Sequence, residues 1–269
     1  MKLWVSALVL PAFLVACGGG GAQPDTELTE EEVRVLSAGI WLGETQIQGV
    51  AGASYQMVAL SYEDRFFSVL DLGGAFGKIF YDSDVEVIDQ YQQDGKVVWD
   101  TFSVSDLFQA GRKQVAETEI HAESILRERV EGTFESPDTL AGGISGEIEL
   151  HFSADPSLVG TLEEVSGAWG GGEAMLAVND EGAFSGSDGE VVGFGRACNL
   201  SGTLTELEVG VSLFEANLTL TACVQSDRNG SYSGLAAVMP LGESGGPNLY
   251  LMTANEDRAY FGAFASSAQ

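Results

Sequence analysis

Nucleophiles and metal ligands are scarce in this sequence: three cysteines and two histidines in 269 residues. His121 and His151 do not have the HExxH spacing that sets two imidazoles on one helix face for zinc, and both read as residues of strands. Ser145 lies in "GGISGE", which is not the Gly-x-Ser-x-Gly elbow that projects a hydrolase serine, and it reads as part of a turn. Asp227 and Asn229 in "DRNGSY" partly imitate a calcium loop. The distal glutamate is missing, and a hairpin turn accounts for every residue. Neither "GGAFGK" nor "GFGRAC" is followed by a helix, so neither reads as a dinucleotide loop. With 40 Asp and Glu, some carboxylate pair at glycosidase distance is a cheap coincidence. The expectation is therefore a protein without catalytic residues, metal or cofactor.

One cysteine is different. The first seventeen residues, "MKLWVSALVLPAFLVAC", carry a single positive charge at Lys2 and an apolar stretch from Leu3 to Ala16 broken only by Ser6 and Pro11. That stretch falls short of the ~20 residues a membrane-spanning helix needs and has the shape of a secretory signal. Its end, Leu14, Val15, Ala16 and Cys17, closely resembles the lipobox of bacterial lipoproteins. The resemblance implies that the Cys17 thiol takes a diacylglycerol, that residues 1–16 are removed as a signal peptide, and that the new amino terminus is acylated, palmitate being the expected chain. Two or more acyl chains hold a protein stably on a bilayer where one does not. Gly18 stands where many lipoproteins kept at the inner membrane have aspartate, so the resemblance implies the outer membrane, at its periplasmic face or the cell surface. The stretch that follows, "GGGGAQPDTELTEEE", lacks the continuation of a phosphate loop and reads as a flexible, acidic, solvated tether over residues 17–36.

The formal charge of −28, from 12 Lys and Arg against the 40 acids, repels phosphate backbones and excludes nucleic acid as a partner. Once Cys17 is set aside, Cys198 and Cys223 remain as an even pair in an exported chain, which reads as a disulfide. Each lies in a strand-like segment, "RACNLSGTL" and "LTLTACVQS".

Thirty-five glycines against six prolines, with short alternating runs of Val, Phe, Tyr and Thr, point to strands joined by tight turns. Gly-x-Trp-x-Gly occurs twice, around Trp41 and Trp169. After it, "MVALSYEDRFFS" lies over "MLAVNDEGAFSG", matching Met57 to Met175, Ala59 to Ala177, Glu63 to Glu181 and Phe66 to Phe184. Two tandem antiparallel β modules follow from that repeat, each an up-and-down barrel or a sandwich of about eight strands: residues 37–157, then residues 158–269 with the disulfide. In the first, "DVEVIDQY", "KVVWDTFSVSDLF", "EIHAESILRERVEGTFE" and "ISGEIELHF" read as strands; Gln114 to Glu131 has good helix formers, but the hairpin after it favours strand. In the second, "EVVGFGRA", "NLSGTLTELE", "SLFEANLTLTAC", "SYSGLAAVMP", "NLYLMTA" and "RAYFGAFA" follow the first hairpin.

The segments "CNLSGTL", "LTLTAC", "NGSYSGLA" and "NLYLMTAN" resemble the C-terminal region of uncharacterised proteobacterial lipoproteins with tandem β modules, and Gly-x-Trp near a first strand is distantly similar to lipocalin-like barrels. The function these readings imply is that of a membrane-anchored, non-enzymatic binding or structural protein of the bacterial envelope. Its partners would be the bilayer, through acylated Cys17, and a small apolar ligand or another protein. The competing expectation is a hydrolase acting on envelope glycan or lipid with carboxylate catalysis. A tryptophan plugging one end of a barrel explains Trp41 and Trp169 without any ligand.

Overall fold

In "LFEANLTLT", residues 213–221, every second side chain from Phe214 to Leu220 is apolar and buried, while Glu215 and Asn217 between them are exposed. This period of two makes a strand with one face on a core, and it recurs through the chain. The computed structural model describes residues 38–48, 54–71, 78–93, 96–109, 112–136, 143–153, 160–171, 174–189, 197–207, 212–240 and 246–266. Cys17, the expected signal peptide and tether, and nearly all of the expected strand "EVVGFGRA" lie outside them.

The first eight strands are β1 (Gly39–Ile47), β2 (Ser54–Tyr62), β3 (Arg65–Asp71), β4 (Lys78–Gln93), β5 (Lys96–Gln109), β6 (Arg112–Ile125), β7 (Arg129–Ser136) and β8 (Ile144–Ser153). Each pairs antiparallel with the next, and β8 pairs with β1, closing an up-and-down barrel. The disputed segment, Gln114 to Glu131, is not helix: it runs through β6, which pairs with β5 from Arg112 to Ser124, and after a turn at Leu126–Glu128 into β7. Closure at the β1–β8 seam depends on two glycines. A Cβ on Gly43 would meet the Glu149 carbonyl oxygen at 1.8 Å, and one on Gly146 would meet that of Gln46 at 2.0 Å. No larger residue permits this approach of the two backbones.

After a single helical turn, α1 (Leu162–Val165), capped by Thr161 and Glu164, come β9 (Gly167–Gly171), β10 (Ala174–Val178), β11 (Ala183–Asp188), β12 (Asn199–Glu206), β13 (Leu213–Thr221), β14 (Gly230–Pro240), β15 (Pro247–Ala254) and β16 (Ala259–Ala265). They form a second antiparallel sheet in sequential order. Trp169 and Ser266 make one bridge between its first and last strands, so this sheet too is barrel-like. Its eight strands include β9, which carries Trp169. Its interior is filled by Leu176, Phe184, Leu200, Leu218, Leu251, Phe264 and their neighbours.

The repeat behaves unevenly. Trp41 and Trp169 are both buried, and Phe66 and Phe184 both point inward. Met57 lines the first barrel's interior, whereas Met175 is 55% exposed. Tyr62 pairs with Arg65 across a two-residue turn, but Val178 pairs with Phe184 across a longer one, and the changed register turns the methionine to the other face.

The two modules share a core. The outer face of β1 to β5, with Ile40, Leu60, Phe67, Phe80 and Phe108, packs on Leu213, Leu235, Met252 and Phe261 of the second sheet. Phe67, Phe80 and Phe108 meet in sequence across three strands, tilted and then edge-on, with centroids 6.0 Å apart at each step. Strands β14 to β16 are consequently buried on both faces. This is why "GLAAVMP" and "NLYLMTA" are continuous apolar runs and do not alternate.

Candidate functional site

Inward positions of the first barrel build two layers. At one end, Trp41 is 1% exposed and its indole N–H donates to the Ser61 hydroxyl at 2.9 Å, while Phe152 meets its face edge-on at 5.2 Å. Trp99 donates to the Ser124 hydroxyl at 3.2 Å, and Ala59, Ala122, Val130 and Leu150 fill the space around the two indoles. This layer is a floor. Its serines exist to satisfy indole N–H groups that would otherwise be buried unpaired.

On the floor rests a cavity of about 110 Å³. Its wall is mostly apolar, from Ile47, Met57, Phe66, Leu70, Ile120, Phe134 and Ile148, interspersed with the hydroxyls of Thr45, Ser68, Tyr81, Ser83 and Ser136. Among the described residues, no charged side chain lines it. Two of the hydroxyls serve the barrel itself: Thr45 donates to the Glu147 carbonyl and Ser136 to that of Glu117, both at 3.0 Å. Tyr81 packs beside Leu70, and burial pushes its phenol up to about 12. A dry apolar cavity of ~150 Å³ in another protein holds a benzene-sized guest, so this volume suits a ring or a short branch of a larger apolar molecule.

The barrel's outer face away from the second module carries a row of glutamates. Glu123, Glu131, Glu149 and Glu44 are directly opposed across β6, β7, β8 and β1. Like charges in such register repel, and each of the four has a local partner. Lys96 pairs with Glu123, Arg129 with Glu131 at 2.8 Å and His151 with Glu149 at 3.0 Å. Ser54 and Gln56 donate to Glu44, and these hydrogen bonds hold its carboxyl below the usual range. The competing hydrolase expectation would need carboxylates of this kind, and Glu44, Glu123, Glu131, Glu147 and Glu149 line a shallow depression of about 410 Å³ on this face.

The other residues singled out by type have structural roles. His121 contacts Asp100 at 2.5 Å on the barrel's exterior, and Ser145, two strands away, donates to Gln48 at 3.3 Å; all four line one open surface depression of about 480 Å³. Asp227 sits in a 3-10 turn, Ser226–Arg228, and accepts from Arg258 at 2.6 Å; Asn229 accepts the Cys223 N–H at 3.0 Å. Among the described residues no group of three or more His, Cys, Asp or Glu side chains is placed to hold a metal ion. Cys198 and Cys223 form the expected disulfide, with Cα atoms 4.0 Å apart, at the end of the β12–β13 pair away from its connecting loop. Beside it Asp188 is fully buried and accepts the Cys198 N–H at 2.7 Å. Burial pushes its carboxyl above the usual range, against that hydrogen bond and the nearby Arg228 charge.

Reading for catalytic motifs passes over the cavity altogether. Its signal is a period-two run of apolar and small hydroxyl residues, Phe66, Ser68, Leu70 and Tyr81, Ser83, Val85, which looks like ordinary strand alternation. No known protein family, curated protein or solved structure matches the chain. No helix among the described residues is long and apolar enough to cross a membrane.

Proposed function

We propose that this protein is a lipid-anchored binding protein of the bacterial envelope, held by acylated Cys17, whose first barrel carries a small uncharged apolar ligand. The observation that carries the reading is the apolar cavity above the Trp41 and Trp99 floor of a closed barrel. The filled module makes a different contribution: it covers an apolar flank of the hollow one and leaves the glutamate row facing outward. An outer-membrane location is consistent with a disulfide, which persists in an oxidising compartment, and with a strongly acidic surface that keeps an anchored protein solvated.

Native mass spectrometry tests the carrier role. Residues 25–269, exported to a periplasm and purified gently, should carry an extra mass that leaves on denaturation; a bare chain mass, together with no uptake of neutral aromatic probes, refutes it. The anchor is tested separately: Cys17→Ala should move the protein from the detergent phase to the aqueous phase, or leave it uncleaved, and unchanged partitioning removes the lipid from the proposal.

A further inference from the structure

Tyr81 brings to the cavity wall a polar group that the barrel does not use. Tyr81 is half-buried and lines the cavity. Its hydroxyl has no hydrogen-bond partner among the described residues. By contrast, Thr45 and Ser136 in the same wall donate to backbone carbonyls, and Ser61 and Ser124 below it accept from indoles. A phenol O–H that meets an apolar cavity without a protein acceptor is open to an acceptor on a bound molecule. Ser68, which stands opposite Tyr81 across the β3–β4 pair, lines the same part of the wall.

We propose that the ligand of the first barrel is an uncharged apolar molecule bearing a hydrogen-bond-accepting oxygen, a carbonyl, ester or ether, which takes the phenol hydrogen of Tyr81. This inference rests on the carrier reading above. Three observations shape it. That no charged side chain among the described residues lines the cavity argues against a carboxylate or ammonium on the ligand, because such a group would be desolvated with nothing to pair it. The elevated phenol pKa keeps Tyr81 protonated, and hence a donor, throughout the physiological range. The apolar remainder of the wall fits the rest of the molecule.

Two probes of the same shape separate the oxygen from the hydrocarbon: acetophenone, and 2-phenylpropene, in which a methylene group replaces the carbonyl oxygen. Binding of both is measured calorimetrically, and through the fluorescence of Trp99 in the cavity wall, to the full chain and to Tyr81→Phe. The same detergent is used throughout, so that partitioning into micelles cancels. The affinity ratio of acetophenone to 2-phenylpropene should be roughly 2- to 12-fold higher in the wild-type protein than in Tyr81→Phe, the range expected of one neutral hydrogen bond. Equal ratios in the two proteins overturn the assignment of Tyr81 and leave the carrier reading standing. Saturable binding of neither probe overturns both. Should Tyr81→Phe fail to fold, the carbonyl stretch of acetophenone bound to the wild-type chain decides the question: a shift to lower wavenumber than in hexane supports the hydrogen bond, and a hexane-like band overturns it.

Discussion

Replacing both bridged cysteines by alanine tests the disulfide and the union of the two modules together. Cys198 and Cys223 are 25 positions apart, and on the chain-entropy account a crosslink over a loop of that size stabilises by about 3.5 kcal/mol at 25 °C. The pair is almost completely buried, so removing two sulfur atoms adds a small packing loss of the same sign. Because the outer face of β1 to β5 shares one core with the second sheet, the destabilisation should not stay in the module that holds the disulfide. For a folded body of about 200 residues, a loss of about 3.5 kcal/mol lowers Tm by roughly 7–14 °C. The assay is thermal and guanidinium unfolding followed by circular dichroism for the whole chain and by tryptophan fluorescence, which weights the first barrel through Trp41 and Trp99 over the single Trp169 of the second. Wild type and Cys198→Ala/Cys223→Ala should each show one transition, coincident in both probes, with the variant's shifted down. A loss below about 1 kcal/mol would refute the constraint argument. Two transitions, with the fluorescence-weighted one unmoved, would refute the shared core as an energetic link. Reduction of the wild-type protein by a thiol should reproduce the loss without altering any side chain.

Further expectations concern single contacts. Trp41→Phe removes the donor to Ser61 in the barrel floor, and a double-mutant cycle with Ser61→Ala should give a coupling of about 0.5–1.5 kcal/mol in urea unfolding; additivity would mean that the 2.9 Å contact contributes nothing. Asp188 has a folded-state carboxyl pKa raised chiefly by burial, so the native state binds its proton before the unfolded state does. Its contribution to stability therefore improves as pH falls from neutrality through the raised folded value and levels off near the unfolded value of about 4. In Asp188→Asn, which keeps an oxygen for the Cys198 N–H, that part of the pH dependence should vanish, and urea midpoints that track the wild type from pH 7 to pH 4 would contradict it.

Strand identity was largely legible in the sequence because period-two burial is a local property. The segment from Gln114 could be taken for strand against its helix formers because the hairpin following it needed a neighbour, and β6 does pair on both sides. The disulfide was legible from cysteine parity. What local reading could not supply was which faces meet. The apolar runs in β14 and β15 carry the mark of a second buried face, yet nothing in the runs says that the partner is the outside of the first barrel. Facing is also where the repeat misleads, since a change in turn length moved Met175 outward while its counterpart Met57 stayed inward.

Two modules with the same strand order and count differ in being hollow or filled, and particular residues explain why. In the second, inward positions hold Leu200, Leu204, Leu218, Leu220, Leu249 and Leu251, with Phe184 and Phe264 filling the space between them. At comparable inward positions the first has Thr45, Ser68, Ser83 and Ser136, side chains too short to reach the axis. Strand length acts in the same direction. β4, β5 and β6 run for 16, 14 and 14 residues, and only part of β4 pairs with β3 and part of β6 with β7, so these strands overhang their neighbours. Large stagger between strands widens a barrel of fixed strand number. The second sheet begins with β9, β10 and β11 of 5, 5 and 6 residues and touches its last strand through a single bridge, leaving less interior to fill. Short hydroxyl residues thus stand at inward positions of the barrel that has the longer strands. Leucine at Ser68 should fill part of that space and, on the proposed carrier reading, abolish uptake of neutral aromatic probes; undiminished uptake would refute it.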